Sequence, residues 1–337
     1  MTDSSTTHAS DAVVDVHAHL VPIDVLTEIA GGDTRFPNIE VTPHESTYRV
    51  AFNGEAPTRP IAPGLSDPAR RTAWLDEHGI DLQVVGGWLD IFGYQLPTDE
   101  GTEWSSVLTD GLRTVAAGDE RLVVLGTVPL QAPDQAAEML RLHHKAGLPG
   151  AMIATRAAGR DLDDPPFTSF WEAADETGSV IFLHPGFGGA GERYHDFGLV
   201  NGLARLEDTT VTLARLLYAG IPAKYPNAKI LVAHAGAALP YVLGRLAQNH
   251  AVNPDSTADP LESFSRLYFD SVVFDSDALR FLLGKVGAQK VLLGSDYPFP
   301  IGDLKPRNVI KAAELDAETR VQVEGGNARE LFLGGRP

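Results

Sequence analysis

Eight short stretches of the chain are apolar almost throughout rather than alternating: Val13–Val16, Asp81–Val85, Leu122–Leu125, Ala151–Ile153, Val180–Leu183, Ile230–Ala233, Leu267–Phe269 and Val291–Leu293. A strand covered on one face alternates, whereas a strand covered on both faces has no polar side to show. These runs therefore predict a parallel sheet wrapped by helices. Between them lie segments with apolar residues at helical spacing: Asp67–His78, Glu103–Ala117, Pro133–Ala146, Pro165–Thr177, Leu206–Ala219, Leu239–Asn249, Asp277–Val286 and Leu304–Ala313. Asp67-Pro68 opens the first with a capping side chain and a proline at the first helical position, where its missing N–H leaves no bond unmade. Eight strands, each followed by a helix, are the count of an α/β (β/α)8 TIM barrel. A doubly wound open sheet is the alternative, and the glycine-rich dinucleotide turn it would want is absent.

Residues 31–63 break the rhythm between the first strand and its helix. Ile39-Glu40-Val41 and Tyr48-Arg49-Val50-Ala51-Phe52 read as antiparallel strands joined through Pro43, with Asn53-Gly54 as a turn signal. They predict a small β flap at 33–63, inserted over the barrel mouth. Ala317–Leu333 predicts helical packing outside the barrel. Residues 1–11 are polar and read as a disordered leader, without the basic-then-apolar layout of a signal peptide. Residues 12–337 form a single domain in this reading.

Composition narrows the function classes. The chain has 337 residues, 27 Lys+Arg against 45 Asp+Glu, a net charge of −18 and no cysteine. Absence of cysteine removes disulfide scaffolds, Cys-ligated zinc, iron–sulfur clusters and cysteine nucleophiles. The acidic balance argues against nucleic-acid or anionic-membrane partners. No apolar run approaches the roughly 18 residues of a membrane helix, and a cytoplasmic location is the expectation.

The chemistry lies at the strand ends. Asp15-Val16-His17-Ala18-His19 closes the first strand, where alternation places His17 and His19 on one side. The fifth strand ends in Leu183-His184-Pro185-Gly186, the sixth in Ala233-His234-Ala235-Gly236, and the eighth in Gly294-Ser295-Asp296-Tyr297-Pro298. In a TIM barrel the functional groups sit at the C-terminal ends of the strands, so these histidines and Asp296 converge at one mouth. Nitrogen and oxygen donors of this kind suit a divalent ion, zinc first, with manganese or iron as alternatives. Trp88 and Tyr94, just past the second strand, are candidates for the pocket wall.

The set His17-Ala18-His19, His184, His234 and Asp296 resembles the amidohydrolase superfamily. More narrowly, His234-Ala235-Gly236-Ala237-Ala238-Leu239-Pro240 with Gly244-Arg245, and Gly294-Ser295-Asp296-Tyr297-Pro298-Phe299-Pro300, resemble its aminocarboxymuconate-semialdehyde decarboxylase branch, over about Val14 to Phe332. The resemblance implies His17, His19, His184 and Asp296 as metal ligands. It implies His234 as the unligated acid/base, with Asp296 sharing the proton handling. It further implies Arg71, or its neighbour Arg70, as the grip on a substrate carboxylate. Arg245 would be contributed across a homodimer interface, and Phe299 would be an aromatic wall. Binuclear members bridge two metals with a carboxylated lysine at the fourth strand. Ala151–Arg156 has no lysine, which implies a single ion.

The chain departs from the branch at Gly186-Phe187-Gly188-Gly189, where the namesake carries a tryptophan. It departs again in the loop Gly189–Gly202 with Arg193, Tyr194 and His195, which points to a different substrate. Other histidines read as structural or solvated. His143 and His144 are adjacent on a helix and diverge by about 100°. Asp270, at the end of the seventh strand, reads first as a cap, with a role in orienting a ligand as the alternative. Through the resemblance, the leading function is non-oxidative decarboxylation of a small, anionic, carboxylated aromatic or muconate-like substrate. A metal-dependent hydrolase or hydratase using the same site is the alternative, and a metal-free binding protein is the alternative from another class.

Overall fold

The computed structural model describes residues 12–186 and 191–334. The expected leader at 1–11 and Phe187–Gly189 lie outside the described residues. Each apolar run is a strand: β1 Val14–Leu20, β2 Leu82–Gly87, β3 Leu122–Val124, β4 Gly150–Ala154, β5 Val180–His184, β6 Lys229–Val232, β7 Tyr268–Asp270 and β8 Val291–Leu292. All pair in parallel, in two sheets of order β1-β2-β3 and β4-β5-β6-β7-β8. The sheets meet at both edges. Beyond β3, Gly126 N–H donates to Gly150 at 3.0 Å and Met152 N–H donates to Gly126 at 3.1 Å. At the other edge Val16 N–H donates to Leu293 at 2.9 Å, Asp296 N–H to His17 at 2.8 Å and His19 N–H to Tyr297 at 2.8 Å.

A helix follows each strand: α1 Pro68–His78, α2 Thr98–Ala116, α3 Pro133–Lys145, α4 Thr168–Thr177, α5 Arg205–Tyr218, α6 Leu239–Val252, α7 Ser276–Val286 and α8 Arg307–Ala312. The expected cap is in place, since Asp67 accepts the Arg70 N–H at 3.1 Å and Gly79 ends α1 at φ +60°. A further helix, Ile23–Ala30, was not among those expected; it buries Leu26 and Ile29. The tail is helical over Ala317–Val321 and Asn327–Leu333, joined by a π-helical stretch at Gln322–Gly326. Among the described residues no helix is long and apolar enough to cross a membrane.

The hairpin after β1 pairs Ile39–His44 with Thr47–Phe52. Its turn is Glu45-Ser46 and not Pro43, which pairs with Tyr48 inside the ladder. Proline is tolerated there because a two-stranded hairpin leaves one side of each strand without a ladder partner. Asn53-Gly54, both at positive φ, ends the hairpin instead. Val41, Val50 and Phe52 pack with Trp88 and Trp104, which seats the hairpin beside the end of β2.

One irregularity in β1 shapes the donors at the strand ends. Asp15 pairs with Gln83 and Ala18 with Val85, so β1 carries one extra residue over that interval. Val14 and Val16 join Val84, Met152, Phe182, Leu231 and Leu292 in a layer fed by strands of both sheets. Ala18 and Leu20 face the other way, with Val85 and the α2 residue Leu112. His17 follows Val16 directly yet also turns inward, its ring 4.9 Å from Phe182. The extra residue permits two consecutive side chains on the inner face.

Candidate metal centre

Strand ends bring together His17 and His19 from β1, His184 from β5 and Asp296 from the turn after β8. One donor atom from each lies within 4.8 Å of the others, and all four residues are buried. Asp296 Oδ1 is 3.3 Å from His17 Nε2, 3.2 Å from His19 Nε2 and 4.0 Å from His184 Nε2. These four atoms find no hydrogen-bond partner among the described residues. Buried polar atoms are normally paired, so four orphans around one point fit a divalent ion.

The far nitrogen of each imidazole is engaged, which sets the near one as the donor to a cation. His19 Nδ1 donates to the Gly87 carbonyl at 3.1 Å and His184 Nδ1 to the Pro185 carbonyl at 2.9 Å. His17 Nδ1 donates to Asp270 Oδ2 at 2.6 Å. Asp270 is therefore more than the cap expected from sequence. It also accepts the N–H groups of His234, Ala235 and Val272 at 2.9, 2.7 and 3.1 Å. Gly294 makes this packing possible, because a Cβ there would meet Asp270 Cβ at 2.9 Å and His17 Cβ at 3.2 Å.

The electrostatics favour positive charge at this point. Burial alone would keep His17 neutral, but Asp296 and Asp270 pull it up to about 10. Burial pushes the Asp296 carboxyl up, and His17 and the neighbouring imidazoles outweigh it, holding it well below the carboxylate range. Burial holds His19 and His184 below the usual imidazole value. A cation seated among these donors would supply the charge that the His17 proton otherwise supplies.

His234 follows β6 in a strained turn: His234, Ala235 and Ala237 all have φ near +55°. The turn brings His234 Nε2 to 3.4 Å from Asp296 Oδ2, the partner of the oxygen that approaches the other three imidazoles. His234 and Asp296 both line a cavity of about 700 Å3, with Arg59, Arg205 and Phe299. Phe299 stands 5.1 Å from the His19 ring. Arg59 and Arg205 were missed in the sequence. Both flank Asp90, whose carboxyl is pushed up to about 6 by burial against the attraction of the two guanidiniums.

The amidohydrolase family model matches residues 14–333. The chain belongs to the amidohydrolase family. Among its relatives, the 2-amino-3-carboxymuconate-6-semialdehyde decarboxylase of Dictyostelium discoideum is 31% identical over 82% of this chain and 79% of that one. The amidohydrolase fold is shared with the 5-carboxyvanillate decarboxylase of Sphingomonas paucimobilis at TM-score 0.79 and 22% identity, covering 96% of this chain and 99% of that one. It is shared too with a dihydroxybenzoic acid decarboxylase of Polaromonas sp. JS666, bound to manganese and 2-nitroresorcinol, at TM-score 0.75 and 22% identity. That match covers 97% of this chain and 98% of the other.

Within this amidohydrolase, four other candidates fall away from the cavity. Arg71 is 1% exposed and is committed to protein partners, Gln83 Oε1 at 2.6 Å and the His19 carbonyl. Trp88 is buried against the hairpin, with the Arg59 guanidinium 5.8 Å from its ring. Tyr94 lines a smaller neighbouring space of about 330 Å3 with Asp90 and Thr155. Arg245 is exposed on α6 and does not reach this chain's own cavity.

Proposed function

We propose that the chain is a metal-dependent carboxy-lyase that removes carbon dioxide, without oxidation, from a small carboxylated aromatic or muconate-like acid. The observation that carries this reading is the convergence of four buried, unpartnered donor atoms beside a cavity holding His234 and two arginines. The relatives' named substrates agree with it, since a carboxymuconate semialdehyde, a carboxyvanillate and a dihydroxybenzoic acid are all carboxylated acids.

Decarboxylation breaks the bond from ring or chain carbon to carboxylate. The electron pair stays on carbon, which must then take a proton. A divalent ion held by His17, His19, His184 and Asp296 would supply the positive charge that stabilises that electron pair. Arg59 and Arg205 draw an anionic substrate into an otherwise acidic protein and orient it through charge-assisted hydrogen bonds. Phe299 flanks the bound ring. His234 Nε2, held beside Asp296 Oδ2, carries the proton to the carbon. The Asp270 contacts to the His234 and Ala235 amides fix that imidazole's approach.

Zinc suits the donor set, and manganese, as in the Polaromonas enzyme, competes with it. We also read the two sheets as a closed (β/α)8 barrel with the 33–63 hairpin as its flap, supported by the bonds at both edges. A homodimer is the accompanying inference. Tyr241, 82% exposed, lies one turn from Arg245 on α6 and contacts the Phe281 ring of α7, an apolar patch suited to a second copy.

The test is carbon dioxide release from 2,6-dihydroxybenzoate, 5-carboxyvanillate and related acids by protein loaded with Mn2+ or Zn2+. Metal-dependent release from at least one acid is expected. Bond hydrolysis without carbon dioxide, or a folded protein that takes up no metal, overturns the reading.

A further inference from the structure

We propose that Arg71 is a positioning residue for the metal centre. With Gln83, Asp15 and Ser295 it forms a buried brace on the helix side of β1, fixing the backbone of His17 and His19 against the backbone of Asp296. The inference rests on the reading of those residues as a metal site.

The brace follows from the extra residue in β1. That irregularity leaves the His17 N–H without a strand partner, and Asp15 Oδ1 accepts it at 3.1 Å. The same oxygen accepts the Ser295 N–H at 2.9 Å, and Oδ2 accepts the Ser295 hydroxyl at 2.6 Å and Gln83 Nε2 at 2.7 Å. Gln83 Oε1 in turn accepts Arg71 Nη1 at 2.6 Å, while Nη2 donates to the His19 carbonyl. The guanidinium lies 4.8 Å from the Tyr297 ring, and the Tyr297 N–H donates to the Ser295 hydroxyl at 3.1 Å. One connected set of bonds thus holds the His17 amide, the His19 carbonyl and both neighbours of Asp296.

All four side chains are essentially inaccessible, at 0% exposure for Asp15, Gln83 and Ser295 and 1% for Arg71. A buried carboxylate without a compensating cation is costly, and Arg71 compensates Asp15 through the intervening amide. Arg71 lines no part of the 700 Å3 cavity. Its charge therefore acts on the ligand-bearing backbone and not on substrate. Lysine would keep the charge and lose the fork that reaches Gln83 and the His19 carbonyl together.

The experiment compares wild type with Arg71→Lys and Gln83→Met. Mn2+ affinity is read by chelator competition, folding by far-UV circular dichroism and metal-free Tm, and KM at saturating Mn2+ on whichever acid wild type turns over. Removing the support behind a ligand typically weakens metal binding about 10–100-fold, and that loss is expected here with KM unchanged. A raised KM with wild-type Mn2+ affinity would make Arg71 a substrate grip and overturn the brace. So would a lowered metal-free Tm with wild-type Mn2+ affinity. If Arg71→Lys does not fold, Gln83→Met decides alone by the same criteria. Wild type that binds no Mn2+ or Zn2+ overturns the metal site itself, whereas wild type and both variants binding alike overturns only the brace.

Discussion

Replacing Asp270 by asparagine changes one atom and inverts the hydrogen bonding behind the metal site. Asp270 Oδ2 accepts from His17 Nδ1 and the His234 amide, and Oδ1 accepts from the Ala235 and Val272 amides. All four partners are donors. Asparagine offers one acceptor oxygen and one NH2, so two donors must face a donor. If the NH2 faces His17, the imidazole satisfies it only by accepting at Nδ1, which moves the ring proton to Nε2, the atom aimed at the ion. If it faces Ala235 and Val272, two buried amides lose their partner, at about 1–3 kcal/mol each. The expected result is an Mn2+ affinity at least about 10-fold weaker and a metal-free protein less stable by several kcal/mol. Chelator competition on the folded fraction and urea unfolding read the two quantities separately. An Asp270→Asn variant with unchanged affinity and unchanged stability would refute the assignment of Asp270 as the acceptor that fixes His17.

His234→Ala should retain its metal and lose kcat by about 10²–10⁴, as for removal of a positioned proton donor; loss of the metal would make His234 a ligand instead. Asp90→Asn probes the raised carboxyl between Arg59 and Arg205. A folded pKa of about 6 against 3.8 unfolded means that the folded protein binds more protons across that interval. Stability then falls as pH rises from about 4 to 6, by roughly 3 kcal/mol. The variant should therefore be more stable than wild type at pH 8 and equal to it at pH 4 in urea titrations. Destabilisation at pH 8 would show that the ionised carboxylate earns more from the two arginines than burial costs it.

The strands and the donor residues were legible because both depend on local pattern. A run such as Val180–Leu183 is apolar on both faces wherever it sits, and His184 stands at its end, where the donor cluster gathers. Arg71 was misplaced for a different reason. Sequence position puts it on α1 near the sheets, but which way a helical residue turns depends on how that helix docks, and it turned toward β1. Arg59 and Arg205 come from the hairpin exit and the start of α5, loops whose ends are fixed only by the assembled fold. Asp270 resembled any acid at a strand end until His17 and the His234 turn were in place around it. The helix Ile23–Ala30 does carry a signal, since Ile23, Leu26 and Ile29 fall on one side.

The additional residue in β1 makes ion binding a matter of backbone registration as much as of side-chain identity. Mutational libraries that vary only side chains between 14 and 20 leave that registration intact and can retune the chemistry. Loss of the His17 codon would instead restore regular pairing with β2 with Val16 on the inner face, removing a donor while the strand itself could still form, whereas loss of the Val16 codon would restore the same pairing with His17 still inward. A one-residue deletion at this spot is therefore read by the residue it takes: that of His17 damages function far more than folding, and that of Val16 removes an apolar side chain from the inner layer.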